Sequence, residues 1–231
     1  MIKYITVVNN FDTLGRALFE SCNVNSENII IIDNTLINNP ISYCHNYVMK
    51  DLLKDTKPEW LVFCHQDFYM GEDLSLRLSE LDKSCIHGPI GVSSGGMFGN
   101  IVQTNGQPLG TICNKCVVDT LDAMCIMIHK DTIRKYNLSF DENFKYHFYV
   151  EDFCLQARTK GIMTKILQMN CQHRSRTMSG DLGSSEFRSS RNILIKKWSA
   201  VRTTTGFHRL DSQELDVENM IRMLEKIRLR N

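Results

Sequence analysis

The chain opens on apolar, β-prone runs that alternate with segments of helical spacing. Ile2 to Val8 reads as a strand, and Phe11 to Cys22 places Phe11, Leu14, Leu18 and Phe19 on one helical face. Asn28-Ile29-Ile30-Ile31-Ile32-Asp33-Asn34 is a β-branched run ending in an acid. Its unbroken apolar character predicts burial on both faces, as in a parallel sheet. Asn38-Asn39-Pro40 marks a turn, and Ile41 to Leu53 carries Ile41, Cys44, Tyr47, Val48 and Leu52 at helical spacing. A third strand, Trp60-Leu61-Val62-Phe63-Cys64, stops abruptly at the polar triplet His65-Gln66-Asp67. A buried strand that ends in this way delivers its last residues to the carboxyl edge of a sheet, where open α/β folds keep their ligands. Asp73 to Leu81 completes a β-α-β-α-β-α succession, the signature of a doubly wound, nucleotide-binding half.

The middle changes character. Gly88 to Val92 predicts a strand, and Ser93 to Asn100 a glycine-rich loop, either plainly flexible or open to close approach by a ligand. That loop lacks the Gly-Lys-Ser/Thr ending of a phosphate loop and the spacing of a dinucleotide fingerprint. Leu121 to Ile128 reads as a strand, Asp131 to Tyr136 as a short helix, and Phe148 to Arg158 as a helix starting at Glu151-Asp152 and ended by Gly161. Ile162 to Met169 predicts another strand, leading to Cys171-Gln172-His173. Ser175 to Ser190 is polar and predicts a mobile segment; Asn192 to Val201 and Ser212 to Leu229 return to helical spacing. No internal repeat and no domain boundary shows.

Composition narrows the class. With 231 residues, 42% apolar and 23% charged, the chain fits one soluble α/β domain with a sizeable core. A net charge of +1 gives no electrostatic case for nucleic acid. No apolar run reaches membrane-spanning length, and the N-terminus lacks the layout of a signal peptide. Nine cysteines without such a signal predict reduced thiols in a cytosol. Cys22, Cys44, Cys64, Cys125 and Cys154 sit in apolar patterns and read as core filler. Cys113-Asn114-Lys115-Cys116 has zinc or redox spacing, but no second pair follows it.

Three separated places carry acids or a histidine at strand ends or helix starts: Asp67, Glu151-Asp152 and His173. A divalent cation that also binds phosphate needs only one or two carboxylates, and a histidine suits a borderline metal such as Mn²⁺. A carboxylate at a helix start is held as an anion by the helix dipole, which suits a general base. Ordinary helix-start chemistry also accounts for Glu151-Asp152, and a structural histidine for His173.

These stretches, in order, resemble the GT-A glycosyltransferases, in particular family 2-like bacterial enzymes with His-Gln-Asp in place of Asp-x-Asp. The residues that carry the resemblance are Ile29 to Asn34, Glu59 to Asp67, Val118 to Met124, Phe140-Asp141-Glu142, His147 to Arg158, Lys160-Gly161 and His173. It covers roughly residues 1 to 175. It implies a single GT-A domain: a nucleotide-sugar half over 1–100, an acceptor and catalytic half over 101–175, then a mobile loop and C-terminal helices over 176–231. The sheet would be mostly parallel and Rossmann-like, with helices on both faces.

The resemblance implies an inverting transfer from a nucleotide-diphosphate sugar, UDP-linked by preference, to a glycan or lipid-linked acceptor, with Mn²⁺ or Mg²⁺. Val7, Asn9 and Asp33 would line the nucleoside pocket, Asp67 and His173 would hold the metal, and His65 would lie near ribose or metal. Asp152 would be the base, with Glu151 its alternative, and Asp119 and Asp122 would contact acceptor or donor sugar. Arg174, Arg176, Arg188 and Arg191 are candidates for a lid over the diphosphate, or a solvated basic loop. Lys196-Lys197-Trp198, Arg202, Lys226, Arg228 and Arg230 fit either contact with an anionic inner membrane leaflet or plain solvated faces. A cytoplasmic setting is expected. Two other readings remain: a nucleotidyltransferase, disfavoured by the lack of glycines in Val7 to Asp12, and a silent sugar-nucleotide-binding scaffold.

Overall fold

The computed structural model describes residues 1–57, 59–175, 184–204 and 209–211. The first half follows its hydrophobic pattern: β1 (Ile2–Val8), α1 (Phe11–Arg16), β2 (Ile29–Asp33), α2 (Ile41–Leu52) and β3 (Trp60–Cys64). Then come β4 (Phe68–Met70), β5 (Ile86–Gly88), β6 (Ile90–Ser93), β7 (Gly96–Gly99), β8 (Ile101–Gln103), β9 (Pro108–Leu109), β10 (Val117–Val118) and β11 (Thr120–Leu121). β12 (Cys125–His129), α3 (Lys130–Tyr136), α4 (Tyr149–Thr159), β13 (Thr164–Ile166), β14 (Cys171–His173), α5 (Ser185–Trp198), β15 (Ala200–Arg202) and β16 (Arg209–Asp211) follow.

Seven strands form the central sheet in the order β10-β13-β5-β12-β3-β1-β2. β1 pairs parallel with β2 and β3, and β5 with β13; β12 runs antiparallel to both its neighbours, and β10 antiparallel to β13. Five of the seven strands therefore point the same way. Alternation along β3 sends Leu61 and Phe63 into one core with Phe140, Tyr149 and Phe153, and Trp60, Val62 and Cys64 into a second core with Tyr4, Phe68 and Met127. The sheet is thus covered on both faces, and every residue of β3 is buried. β2 differs from its expectation. It is the sheet's edge, so its isoleucines are only half-buried and Ile31 is exposed.

Other expectations are corrected by local chemistry. The helix over Phe11 to Cys22 stops at Arg16, where Ala17 leaves helical backbone angles, and a 3-10 turn at Leu18–Glu20 follows. Asp73 to Leu81 is also 3-10, with the Asp73 carboxylate capping Ser75 and Arg77 paired to Glu72 and Glu80. The glycine-rich loop is a hairpin of β6 and β7. Gly99 there has φ +126°, and a Cβ on it would sit on the Pro89 carbonyl oxygen. The strand over Leu121 to Ile128 breaks into β11 and β12 at Asp122-Ala123-Met124, and Ile162 to Met169 is a strand only over β13. The polar segment turns helical at Ser185, where the Ser184 side chain accepts from the Phe187 N–H. Ser212 to Leu229 and Arg176 lie outside the described residues.

The Cys113 and Cys116 side chains are brought together, in position to pair as a disulfide. Cys44, Cys64, Cys125 and Cys154 are buried as expected, whereas Cys22 is exposed. Among the described residues no helix is long and apolar enough to cross a membrane.

Candidate functional site

Because β1, β2 and β3 are parallel, Val8, Asp33 and Cys64 end at one edge of the sheet, and antiparallel β12 begins there opposite Cys64. The triplet after β3 divides its tasks at that edge. Gln66 turns back on the end of β1: its Oε1 accepts from the N–H groups of Asn9 (3.1 Å) and Asn10 (3.0 Å), and its Nε2 donates to Asn9 Oδ1 (2.5 Å). His65 Nε2 lies 3.2 Å from the Tyr149 hydroxyl at the start of α4. Asp67 faces His173.

His173 arrives by a second route. β14 sits in a four-stranded sheet of order β4-β14-β8-β9, with His173 opposite Phe68 in the residue after Asp67. The Arg174 N–H donates to the Asp67 carbonyl at 2.8 Å and locks this register. His173 Nε2 is then 3.3 Å from Asp67 Oδ2, and His65 Nδ1 is 4.0 Å from Asp67 Oδ1. One ligating atom from each of His65, Asp67 and His173 lies within 4.8 Å of the others. Asp67 Oδ1 is buried without a hydrogen-bond partner, an arrangement that leaves an acceptor open for a cation.

The charges are tuned by opposing forces. Burial would raise the Asp67 carboxyl, but the His173 hydrogen bond and the charges of His65 and His173 outweigh it and hold it below its ordinary value. Burial pulls His173 down, yet its hydrogen bond to Asp67 and the charges of Asp67 and Asp122 leave it above its ordinary value. For His65 burial wins and the imidazole is lowered, despite Asp67. The trio is one carboxylate with one nitrogen donor easily freed and one freed on losing its proton, a set suited to a borderline divalent ion.

His65 and Asp67 border a cleft of about 350 Å³, and His173 stands behind Asp67 outside its lining. Val7, Asn9, His65 and Asp67 line it, together with Gln66, Asn34, the 38–41 turn and Lys145, Tyr146 and His147. Asp33 does not line it: exposed, its carboxylate accepts from the Thr35 N–H (3.0 Å) and hydroxyl (2.7 Å), which holds it below its ordinary value.

Four acids lie elsewhere. Asp152 is 0% exposed and fully engaged: it accepts from Gln156 Nε2 (2.6 Å), Trp198 Nε1 (2.7 Å) and Lys197 Nζ (2.9 Å). Glu151 is 3% exposed, its Oε2 has no partner, and burial, with the charges of Asp122 and Asp152, pushes its carboxyl up to about 8. Asp119 is clasped by Arg158 and Arg202, and Asp122 accepts from the Met124 N–H (2.9 Å) and the Thr204 hydroxyl.

Lys197 also pairs with Asp141 at 2.6 Å, so it and Arg202 point inward to acids rather than forming a free basic face. Arg174 is committed as well, stacked 3.8 Å over Tyr69 and bound to Glu20 and the Arg16 carbonyl. Arg188 is exposed on α5, and Arg191 is buried. Sequence reasoning missed the Gln66 staple, Tyr149 and the Lys197-Trp198 clasp. Gln66 was visible as the polar centre of a strand-ending triplet. The clasp had no local signal, because its partners are separated by 45 and 46 positions.

This mixed seven-stranded sheet, covered on both faces, is a GT-A fold. Solved structures share it. The crystal structure of GalNAc-T7 with UDP, GalNAc and Mn²⁺ superposes with a TM-score of 0.58 at 10% identity, covering 86% of this chain and 48% of that one. S. aureus TarS 1-349 superposes with a TM-score of 0.53 at 12% identity, covering 85% of this chain and 64% of that one. For the longer S. aureus TarS structure the TM-score is again 0.53 at 12% identity, and coverage is 85% and 39%. The chain therefore spans less than two thirds of the length of each. No protein-family model and no curated protein matches the sequence.

Proposed function

We propose that the protein is a metal-dependent, inverting glycosyltransferase that takes its sugar from a nucleotide-diphosphate donor, UDP-linked by preference. The observation that carries this reading is the convergence of His65, Asp67 and His173, two of which line the cleft, with Asp67 Oδ1 buried and unpartnered. A GT-A neighbour holding UDP and Mn²⁺ supports it.

Asp67 and His173, with His65 beside them, would hold Mn²⁺ or Mg²⁺, which when bound would offset the charge growing on the departing diphosphate. Gln66 holds the Asn9-Asn10 backbone against the edge, so Val7 and Asn9 form a fixed wall for the nucleoside, with Asp33 just beyond it. On the acceptor side, near Asp119 and Asp122, a hydroxyl of a glycan or lipid-linked acceptor forms the new bond to the anomeric carbon as the bond to the diphosphate breaks. Its proton passes to a carboxylate, Asp152 on this reading, with Glu151 as the neighbouring alternative. Glu151 keeps its own proton up to about pH 8, which makes it the poorer acceptor at neutral pH. Asp152 takes the role only when Lys197 and Trp198 swing away, so the end of α5 acts as a clasp that the acceptor displaces. A cytoplasmic setting, at the inner membrane face for a lipid-linked acceptor, belongs to the same reading.

The sealing of Asp152 favours one other reading, a nucleotide-sugar-binding protein without turnover. Calorimetry with a panel of nucleoside diphosphates, with and without Mn²⁺, tests both. Binding that needs Mn²⁺ and vanishes in Asp67→Ala is expected. No binding by the folded protein overturns the donor site. Binding without any release of nucleotide from the matching donor sugar, across a panel of glycan acceptors, selects the silent reading.

A further inference from the structure

His45 lies on α2, lines the cleft and is 2% exposed. Its ring packs against Phe63, Phe140 and Tyr149, with centroids 4.9, 5.2 and 5.7 Å away. Its Nδ1 is buried without a hydrogen-bond partner. The polar residues beside it on the same helix are satisfied. The Ser42 hydroxyl donates to the Phe144 carbonyl at 2.7 Å, and Asn46 donates to the Phe140 carbonyl and accepts from the Phe140 N–H, each at 2.9 Å. Burial, and then the charge of His65, lowers His45 to about 3, so the imidazole is neutral and offers one donor and one acceptor.

A buried polar atom without a partner costs stability, and a phenylalanine would fill the same aromatic nest without that cost. An orphan nitrogen on a residue that lines a cleft has a ready explanation if the missing partner is the ligand. We propose that His45 reads the cleft's ligand, forming a hydrogen bond with one of its hydroxyl groups beside the His65–Asp67–His173 cluster. The hydroxyl belongs to the ribose or to the transferred sugar. This inference rests on the donor reading of the cleft.

The test uses the full chain, His45→Phe and His45→Gln, with melting curves and calorimetry in Mn²⁺ against ribonucleoside diphosphates and their hexose conjugates. His45→Phe should melt at or above the wild-type temperature and still bind about tenfold more weakly. His45→Gln, which keeps a hydrogen-bonding side chain, should recover part of the loss. A loss seen already with the nucleoside diphosphate assigns the ribose hydroxyl; a loss confined to the hexose conjugate assigns the sugar. Wild-type affinity in His45→Phe for both ligand types overturns the role of His45 and leaves the donor site standing. Weaker binding that tracks a lower melting temperature in both variants overturns it too, as a packing effect. If the wild type binds no nucleotide, the donor reading falls and this inference with it.

Discussion

Replacing Asp67 by Asn removes one charge from the cluster and little volume. Asp67 Oδ2 and His173 Nε2 are 3.3 Å apart, and both side chains are mostly buried. Two unit charges at that distance attract by about 5 kcal/mol gross at an effective permittivity of about 20. Burial of both groups cancels much of this, and the remainder still favours the protonated histidine. In the wild type burial works against protonation of His173, and Asp67, helped by Asp122, reverses it to a value above 6.5. In Asp67→Asn only Asp122 opposes burial, so His173 should titrate lower than in the wild type. Histidine nitrogen NMR, in chelator across a pH series, reads this directly. The same proton competes with any cation for His173, so wild-type Mn²⁺ affinity should fall about tenfold for each pH unit below the His173 value. An unchanged His173 titration in the variant would refute the pairing. Mn²⁺ affinity flat from about pH 5.5 to about 7.5 would remove His173 from the ligand set.

Glu151 carries its proton from its ordinary 4.5 up to about 8 in the folded protein. The folded state therefore binds more protons than the unfolded chain across that window, and stability falls as pH rises through it. Glu151→Gln should flatten the slope and be the more stable protein at about pH 8, by a few kcal/mol at most; urea midpoints that change with pH in parallel for both proteins would contradict this. Lys197→Ala leaves Asp152 buried without its cation and should cost about 1–3 kcal/mol, less than a fully buried pair because Lys197 is 34% exposed. An unchanged denaturation midpoint would show the pair to be neutral. Gly99→Ala places a side chain at φ +126° and against the Pro89 carbonyl, and should cost at least about 2 kcal/mol in thermal melting. A variant as stable as the wild type would mean that the β6–β7 hairpin relaxes freely.

The first three strands and α2 were legible because sheet strands buried on both faces leave unbroken apolar runs, and their ends fall where polarity begins. The triplet His65-Gln66-Asp67 was legible for the same reason. The β6–β7 hairpin was not, since four-residue strands with glycine at Gly91, Gly96 and Gly99 lack the side chains on which pattern reading depends. β2 read as fully buried because sequence does not reveal which strand takes the edge. Lys197 and Trp198 read as surface residues, and only tertiary packing turns them toward Asp152. His45 was silent for a further reason: what singles it out is a missing partner, and no sequence pattern encodes an absence.

The pairing of β14 with β4 sets an order of assembly. Synthesis completes β1 to β3 early, yet Asp67 meets His173 only after about a hundred further residues have been made and β14 has docked between β4 and β8. Closing a loop of that length costs roughly 4 kcal/mol in chain entropy, offset by the hydrogen bonds and buried faces of the small sheet. The cluster therefore cannot form in an N-terminal fragment that ends before β14. A cation held there favours only the chain in which both halves have met. Protection by metal against proteolysis thus reports on the docking of residues 171–173, not on the integrity of β1 to β3.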